Sequence, residues 1–267
     1  MIEPVPQGQI DAARAYDAVM VPALFGEWAS KVADAVQIRP GERVLDVACG
    51  TGVLAREVAL RTGGAGFVAG LDPSSGMLEV AKQLAPSVEW LQGVAESLPF
   101  SDQIFDVVVG QFGLMFFDDR IEAIRQALRV LRPGGRLAMA VWDSLDSIPP
   151  YADEVALLEQ IAGAPAADAL RAPFVLGNRG DLTTLFVSAG VATVEVSNHK
   201  GTARFPSVRV MVEADLRGWL PVMGVVLTEE QIADILQAAE AALGPFVTSA
   251  QAICFETSAH VVTGTKP

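Results

Sequence analysis

Val44-Leu45-Asp46-Val47-Ala48-Cys49-Gly50-Thr51-Gly52 is the stretch that decides the fold of this 267-residue chain. An apolar run with one carboxylate inside it flows into a glycine-rich turn. Val53-Leu54-Ala55-Arg56-Glu57-Val58 behind it reads as a helix. The order is strand, tight turn, helix. Gly50 and Gly52 carry no Cβ, so the backbone can fold sharply and a ligand can sit against it. The free N–H groups of the first helical turn face the same spot. A turn of this kind binds a nucleotide-like cofactor at the carboxyl end of the first strand of an open sheet.

Gly50-x-Gly52-x-x-Ala55, with Asp72 about 20 residues further on, also satisfies the loose dinucleotide pattern. Asp46 argues against that pattern. A buried parallel strand should be apolar, and a carboxylate there is costly without a partner. A cofactor with a cationic amino-acid tail would supply one. The run Asp46-x-Ala48-x-Gly50-x-Gly52 resembles the glycine motif of class I S-adenosylmethionine-dependent methyltransferases, particularly the ubiquinone/menaquinone-biosynthesis (methyltransferase type 11) branch. Ala48 stands where most families of the class have glycine. Gly93-Val94-Ala95-Glu96-Ser97-Leu98-Pro99-Phe100 is similar to the family's Gly-Asp-Ala-Glu-x-Leu-Pro-Phe segment, which runs along the adenine ring. Val94 replaces the aspartate that would accept from the adenine amino group. Leu131-Arg132-Pro133-Gly134-Gly135-Arg136-Leu137 matches a third signature, a structural turn back into the sheet. Specific motifs cover about residues 40 to 142, and the remainder matches by layout.

The resemblance implies an α/β fold with a Rossmann-like seven-stranded, mostly parallel sheet. Its strand order would be 3-2-1-4-5-7-6, with the last strand antiparallel and helical lid insertions. The expected organisation is one methyltransferase domain over residues 1–267. Residues 1–38 are capping helices, 39–142 the cofactor-binding core, 143–190 and 198–250 lid insertions, and 251–267 the last strand.

Composition narrows the partners. Apolar residues make up 51%, enough for one sizeable core, and the formal net charge is −13. An acidic chain repels phosphate backbones and anionic membranes, so neither nucleic acid nor membrane is an expected partner. No apolar run approaches the length of a membrane span. Met1-Ile2-Glu3-Pro4-Val5-Pro6 lacks the basic and apolar regions of a signal peptide. Cys49 and Cys254 lie far apart and are read as reduced thiols, which points to the cytoplasm. No cysteine/histidine spacing suggests a metal, and no cofactor beyond S-adenosylmethionine is implied. Oligomeric state is not legible.

Residues Ile10 to Gln37 read as one or two helices broken near Pro22. Leu24, Trp28, Val32 and Ala35 follow helical spacing. Tyr16, Phe25 and Trp28 either close over the cofactor, as in the family, or pack on the sheet. Phe67 to Leu71 is the second strand, ending at Asp72. An acid there accepts from both ribose hydroxyls. Pro73 follows, Ser74 or Ser75 caps the next helix, and Met77 can lie on the adenine face. Ala95 and Glu96 are the candidate adenine edge. Val88 to Gln92 and Ile104 to Gly110 are strands three and four. At the carboxyl end of the fourth come Gln111 and Phe112, candidate cofactor neighbours, then Met115 and Phe116, candidate pocket wall. Asp118 or Asp119 starts a helix stopped by Pro133-Gly134-Gly135, and Arg136 to Trp142 is the fifth strand. Val191 to Ser197 reads as the sixth strand. Thr228 with Gln231 forms a capping box. Ile253 to Val262 alternates as a half-buried antiparallel strand should.

Methyl transfer from a sulfonium is a one-step displacement with a neutral leaving group, so the enzyme must align the reactants and exclude water. A base is needed only where the nucleophile arrives protonated. His199, just after the sixth strand, is the candidate base, and the alternative for it, as for His260, is a satisfied surface or structural imidazole. The segments free to cover the sheet carry Phe25, Trp28, Met115, Phe116, Trp142, Tyr151, Phe174, Trp219 and Met223, with few cations. They suit a small, mainly apolar acceptor methylated at oxygen or carbon. Two alternatives remain. A nicotinamide oxidoreductase would call for a Tyr-x-x-x-Lys or similar pair, which neither Tyr16 nor Tyr151 supplies. A non-catalytic cofactor-binding subunit would need no base at all.

Overall fold

The structure, a computed structural model, describes residues 4–267. The part of the leader expectation that rests on Met1, Ile2 and Glu3 lies outside them. Two helices, α1 (Gln7–Met20) and α2 (Gly26–Ala35), precede the sheet. Pro22 does not break them apart. Val21–Phe25 makes one wide π-helical turn with the proline at its start, so the missing N–H is accommodated without a stop.

Strands and helices then alternate: β1 (Arg43–Val47), α3 (Val53–Thr62), β2 (Phe67–Asp72), α4 (Ser75–Leu84), β3 (Glu89–Gln92), β4 (Phe105–Gln111), α5 (Arg120–Val130) and β5 (Leu131–Trp142). Buried valines and leucines on β1 and β4 drive this centre, because both of its faces are covered by helices. The Ser74 hydroxyl caps α4 and the Asp119 carboxylate caps α5. Beyond β5 come α6 (Pro149–Ala162), α7 (Ala164–Arg171), α8 (Arg179–Ser188), β6 (Thr193–Phe205), α9 (Val208–Ala214), α10 (Leu220–Val222), α11 (Glu229–Ala242) and β7 (Ile253–Thr265). The Thr228–Gln231 capping box opens α11.

The seven strands lie in the order β3-β2-β1-β4-β5-β7-β6. β1 to β5 pair in parallel, and β7 runs antiparallel to both β5 and β6. A dinucleotide fold places strand six directly beside strand five. The reversed strand wedged between β5 and β6 therefore separates this sheet from the nicotinamide alternative.

Three expectations need correction. The sixth strand does not stop at Ser197 but runs to Phe205, so the second insertion begins after that residue. β7 is not half buried. Ser258 and His260, on its polar face, are enclosed, because Asp143, Asn198 and the Gly177 carbonyl satisfy them there. Of the insertion expected over 143–190, α8 packs on α5 and β6 and so covers the sheet rather than the site. Register places Trp142 beside Ala259 and Ala259 beside His199. Lys200–Phe205 and Ile253–Ser258 thus project as a hairpin beyond the carboxyl edge of β5.

Candidate functional site

The turn after β1 is held from three sides. Gly50 N–H donates to Asp72 Oδ2 at 2.8 Å, and Ser74 N–H donates to Asp72 Oδ1 at 2.9 Å. Asp72 thereby ties the turn to the end of β2. Burial pushes its pKa up, and those two hydrogen bonds oppose the shift. From the other side α1 brings Asp17, whose Oδ1 accepts from the Thr51 hydroxyl at 2.7 Å and lies 3.5 Å from Arg56. Arg56 also donates to the Thr51 carbonyl at 2.5 Å. From the third side the edge of the Trp90 indole on β3 abuts the turn. A Cβ at Gly52, where φ is +82°, would come within 2.3 Å of that ring. At Gly50 the same position is open, with nothing within 4 Å.

At the floor of this turn sits Asp46. It is 1% exposed, and neither carboxylate oxygen has a hydrogen-bond partner. The Ala55 N–H lies nearest in a favourable sense but falls short of a hydrogen bond. Burial drives the carboxyl pKa well up, and the charge of Asp72 adds to the shift. A buried acid without a partner, beside an open glycine cradle, fits the ammonium end of an amino-acid tail. The residues present therefore fit S-adenosylmethionine.

The other candidates gather around this centre unequally. Tyr16 stacks on Phe25 at 5.5 Å, and its hydroxyl is held un-ionised by burial and by Asp72 and Asp17. Gln111 Nε2 donates to the Phe25 carbonyl at 3.0 Å, while its Oε1 is buried without a partner. Phe112 has φ of +56°, a strained value for an aromatic residue, at the carboxyl end of β4. It stacks on Trp142 at 3.8 Å. Ala48 has φ of +58°, the conformation for which glycine is favoured. Pro73 accepts from Gln92, and the Met77 N–H donates to the Ser74 hydroxyl. Ala95 is buried, whereas Glu96 reaches toward the Asp119 N–H at the start of α5. Val94 is 48% exposed.

The expected pocket wall divides. Trp28 is fully buried and packs edge-on against Phe112 and Trp142. Phe25 lies 6.1 Å from Trp142 in the same cluster. Tyr151 meets Phe174 and Phe255 in a second cluster. Phe116 meets Trp219 in a third, Met115 is buried, and Met223 is 36% exposed at the surface. His199 stands outside all three. It lies on the edge strand β6, four strands from β1, with Nε2 2.8 Å from the Ser197 hydroxyl. At the usual strand spacing that is about 19 Å from the glycine turn.

Asp17, Thr51, Arg56, Trp90 and Gly113 escaped the sequence-level site. Their signals were faint: a polar residue in a helix, a tryptophan on a short strand, a glycine just past a strand end. Two shallow surface grooves, one at Glu27 and Lys200 and one at Asp143 and Arg179, do not touch the glycine turn. Among the described residues no cluster of three or more His, Cys, Asp or Glu stands together in a way that could hold a metal ion. Nor is any helix among them long and apolar enough to cross a membrane.

Comparison with known proteins adds to this geometry. A family model described as "Methyltransferase domain" matches residues 44–135. The demethylmenaquinone methyltransferase of Staphylococcus carnosus is 32% identical over 188 residues, covering 65% of this chain and 78% of that protein. That of Renibacterium salmoninarum is 41% identical over 134 residues, covering 49% of this chain and 55% of that protein. The chain thus spans little more than half the length of this second relative. Among solved structures, phosphoethanolamine N-methyltransferase 2 of Haemonchus contortus, in complex with phosphomonomethylethanolamine and S-adenosylhomocysteine, superposes with a TM-score of 0.62 at 16% identity. The match covers 98% of this chain and 58% of that one, and it is a likeness of fold.

Proposed function

The chain belongs to the class I S-adenosylmethionine-dependent methyltransferases, and from that premise we propose that it methylates a small, mainly apolar organic acceptor at oxygen or carbon. The observation that carries the proposal is the unpartnered Asp46 carboxylate under an open glycine turn, with Asp72 at the neighbouring strand end. When bound, S-adenosylmethionine supplies a methyl group on a cationic sulfur that departs as a neutral thioether.

The chain's own work is to bind, orient and exclude water. Asp46, Ala48, Gly50 and Gly52 hold the amino-acid end. Asp72 takes the ribose hydroxyls, and Pro73, Met77, Ala95 and Glu96 border the adenine. Tyr16, Gln111 and Phe112 close over the cofactor from α1 and β4. The aromatic residues at the carboxyl edge suit an aromatic acceptor, and the quinone named in the Staphylococcus and Renibacterium relatives supports that class. α6, α7 and α9 to α11 act as the lid that opens for it. The charge of −13 supports an enzyme without nucleic-acid or membrane partners, and the two free cysteines support a cytoplasmic one.

Titration calorimetry tests the proposal. S-adenosylhomocysteine is expected to bind, and NAD to bind more weakly or not at all. Asp72→Ala is expected to lose about 1.5–3 kcal/mol of that affinity, the worth of hydrogen bonds to a charged group. Absent binding, or a preference for NAD, defeats the proposal.

A further inference from the structure

Away from the glycine turn, the helices over the carboxyl edge bury a pair of acids. Glu154 on α6 is 0% exposed, and neither of its oxygens has a hydrogen-bond partner. Asp215, on the turn after α9, is 3% exposed, and its Oδ2 has none. Contrast Asp143, which takes hydrogen bonds from Ser258, Asn198 and Ser144. Carboxylates removed from water without partners ask for a ligand or for protons.

The elements packed around the pair turn their cations away from it: Arg14 on α1 and Lys200 and Arg204 on β6, two elements that pack on α9, are exposed. Tyr151, less than one helical turn earlier on α6, is the titratable group that faces both acids. α11 turns Ile232, Ile235, Leu236 and Ala239 inward and leaves Glu229, Glu230, Asp234 and Glu240 at the surface. α7 turns Ala166, Ala167 and Leu170 inward, with Asp168 and Arg171 outside, paired with each other. Arg217, on the same turn as Asp215, points out to Glu229 at 2.7 Å, and Arg209 pairs with Glu213 on α9.

Location connects the pair to the acceptor. Asp215 begins a π-helical turn, Asp215–Trp219, a widening that recurs at functional sites. Trp219 at the end of that turn meets Phe116, in the segment after β4. Tyr151 meets Phe174, and the 172–174 turn packs on the 114–116 turn and on β5. The two acids therefore lie one aromatic layer beyond the carboxyl edge.

We propose that Glu154 and Asp215 form the polar end of the acceptor pocket and receive the hydroxyl of an aromatic acceptor. The inference rests on the methyltransferase reading. In the step it implies, the acceptor O–H bond breaks and a carboxylate oxygen gains the proton, becoming a carboxylic acid. The electron pair stays on the acceptor, shared between its oxygen and the adjacent ring carbon. Attack through oxygen is then complete, whereas attack through carbon is followed by loss of that carbon's own proton to the other carboxylate, which restores the ring. Burial raises both acids, the charge of Asp215 adds to the shift at Glu154, and Asp215 is pushed up to about 8. That value lies near the working pH, as suits a base for a phenol.

Calorimetry in the presence of S-adenosylhomocysteine tests this with three ligands sharing one ring: 2-naphthol, 2-methoxynaphthalene and 2-naphthylmethylammonium. The unmodified protein is expected to bind 2-naphthol about tenfold tighter than the methyl ether, the worth of one hydrogen bond to a charged group. Glu154→Gln and Asp215→Asn, both isosteric, are each expected to erase most of that preference without changing the affinity for S-adenosylhomocysteine. Equal or absent naphthol binding, a preference that survives both substitutions, or tighter binding of the ammonium overturns the proposal. The ligand series on the unmodified protein needs no variant, so a substitution that unfolds the lid leaves the test intact. If S-adenosylhomocysteine itself does not bind, the methyltransferase reading fails, and this inference falls with it.

Discussion

At Gly113 the absence of one methyl group lets two loops of the site meet. A Cβ there would lie 2.5 Å from the Ala48 Cβ, far inside contact distance. Ala48 cannot retreat easily, because it is already held at positive φ within the glycine turn. Gly113→Ala is expected to cost about 1–3 kcal/mol of stability, the range for overpacking. Ala48→Gly removes both the clash and the left-handed strain, so the double substitution should recover most of the loss. Chemical denaturation of the two single variants and the double measures this cycle. Simple additivity would show that the two loops do not collide. The sequence carried the Ala48 half of this contact, through the motif in which glycine is usual. It was silent on Gly113, because a glycine after a strand has many local uses and its partner lies far away in the chain.

At the scale of elements, α1 is the least legible part of the site. Helical spacing located it, but nothing local marks Asp17 as the residue that reaches the glycine turn. Its bond to Thr51 and its ion pair with Arg56 arise only when the helix docks across the start of α3. Asp17→Ala is expected to loosen the turn and weaken S-adenosylhomocysteine binding about 2–10-fold, the worth of one part-buried hydrogen bond. Calorimetry checks the affinity, and amide exchange at residues 50–55 should quicken in the same variant. An unchanged affinity would reduce α1 to a packing element. The β6–β7 pair taught the opposite lesson. Alternation over Ile253–Val262 correctly announced a strand, yet it implied a face wet along its whole length, whereas Glu256 is exposed there and Ser258 and His260 are not. Those two are consumed by Asp143, Asn198 and Gly177 instead.

For the whole molecule, four buried acids set an unusual pH response. Asp46, Asp72, Glu154 and Asp215 all have raised pKa values, with burial the main cause. A raised carboxyl means that the folded chain holds protons that the unfolded chain has released. Stability then falls as pH rises through the window where only the unfolded chain is ionised. For Asp215 that window runs from its ordinary value of 3.8 to about 8. The lowered pKa of Asp143 acts the other way, but only in the acid range, where its hydrogen bonds are lost as it protonates. Thermal unfolding without ligand is therefore expected to show Tm declining between about pH 5 and pH 8. Asp215→Asn should flatten that decline. Saturating S-adenosylhomocysteine should raise Tm most at the alkaline end, where its ammonium group meets an ionised Asp46. A flat or rising profile without ligand would mean that these acids are solvated.

The sequence alone determined the parts of this protein whose physics is local. A glycine turn after an apolar strand, an acid at the next strand end and a capping box each depend on residues close in the chain. The family resemblance that the first two carry implied the fold and the strand order, and the sheet has that order. Tertiary structure alone decided which distant side chains share a cavity. It put His199 on an edge strand away from the turn, buried Trp28 against Phe112 and Trp142, and set Trp90 against Gly52. It also enclosed Glu154 with Asp215, two acids 61 residues apart in the chain. On its own helix or turn either one reads as an ordinary solvated charge. Only the packing of α11 against both α6 and α9 removes them from water, and desolvation is a property of that assembly rather than of either segment.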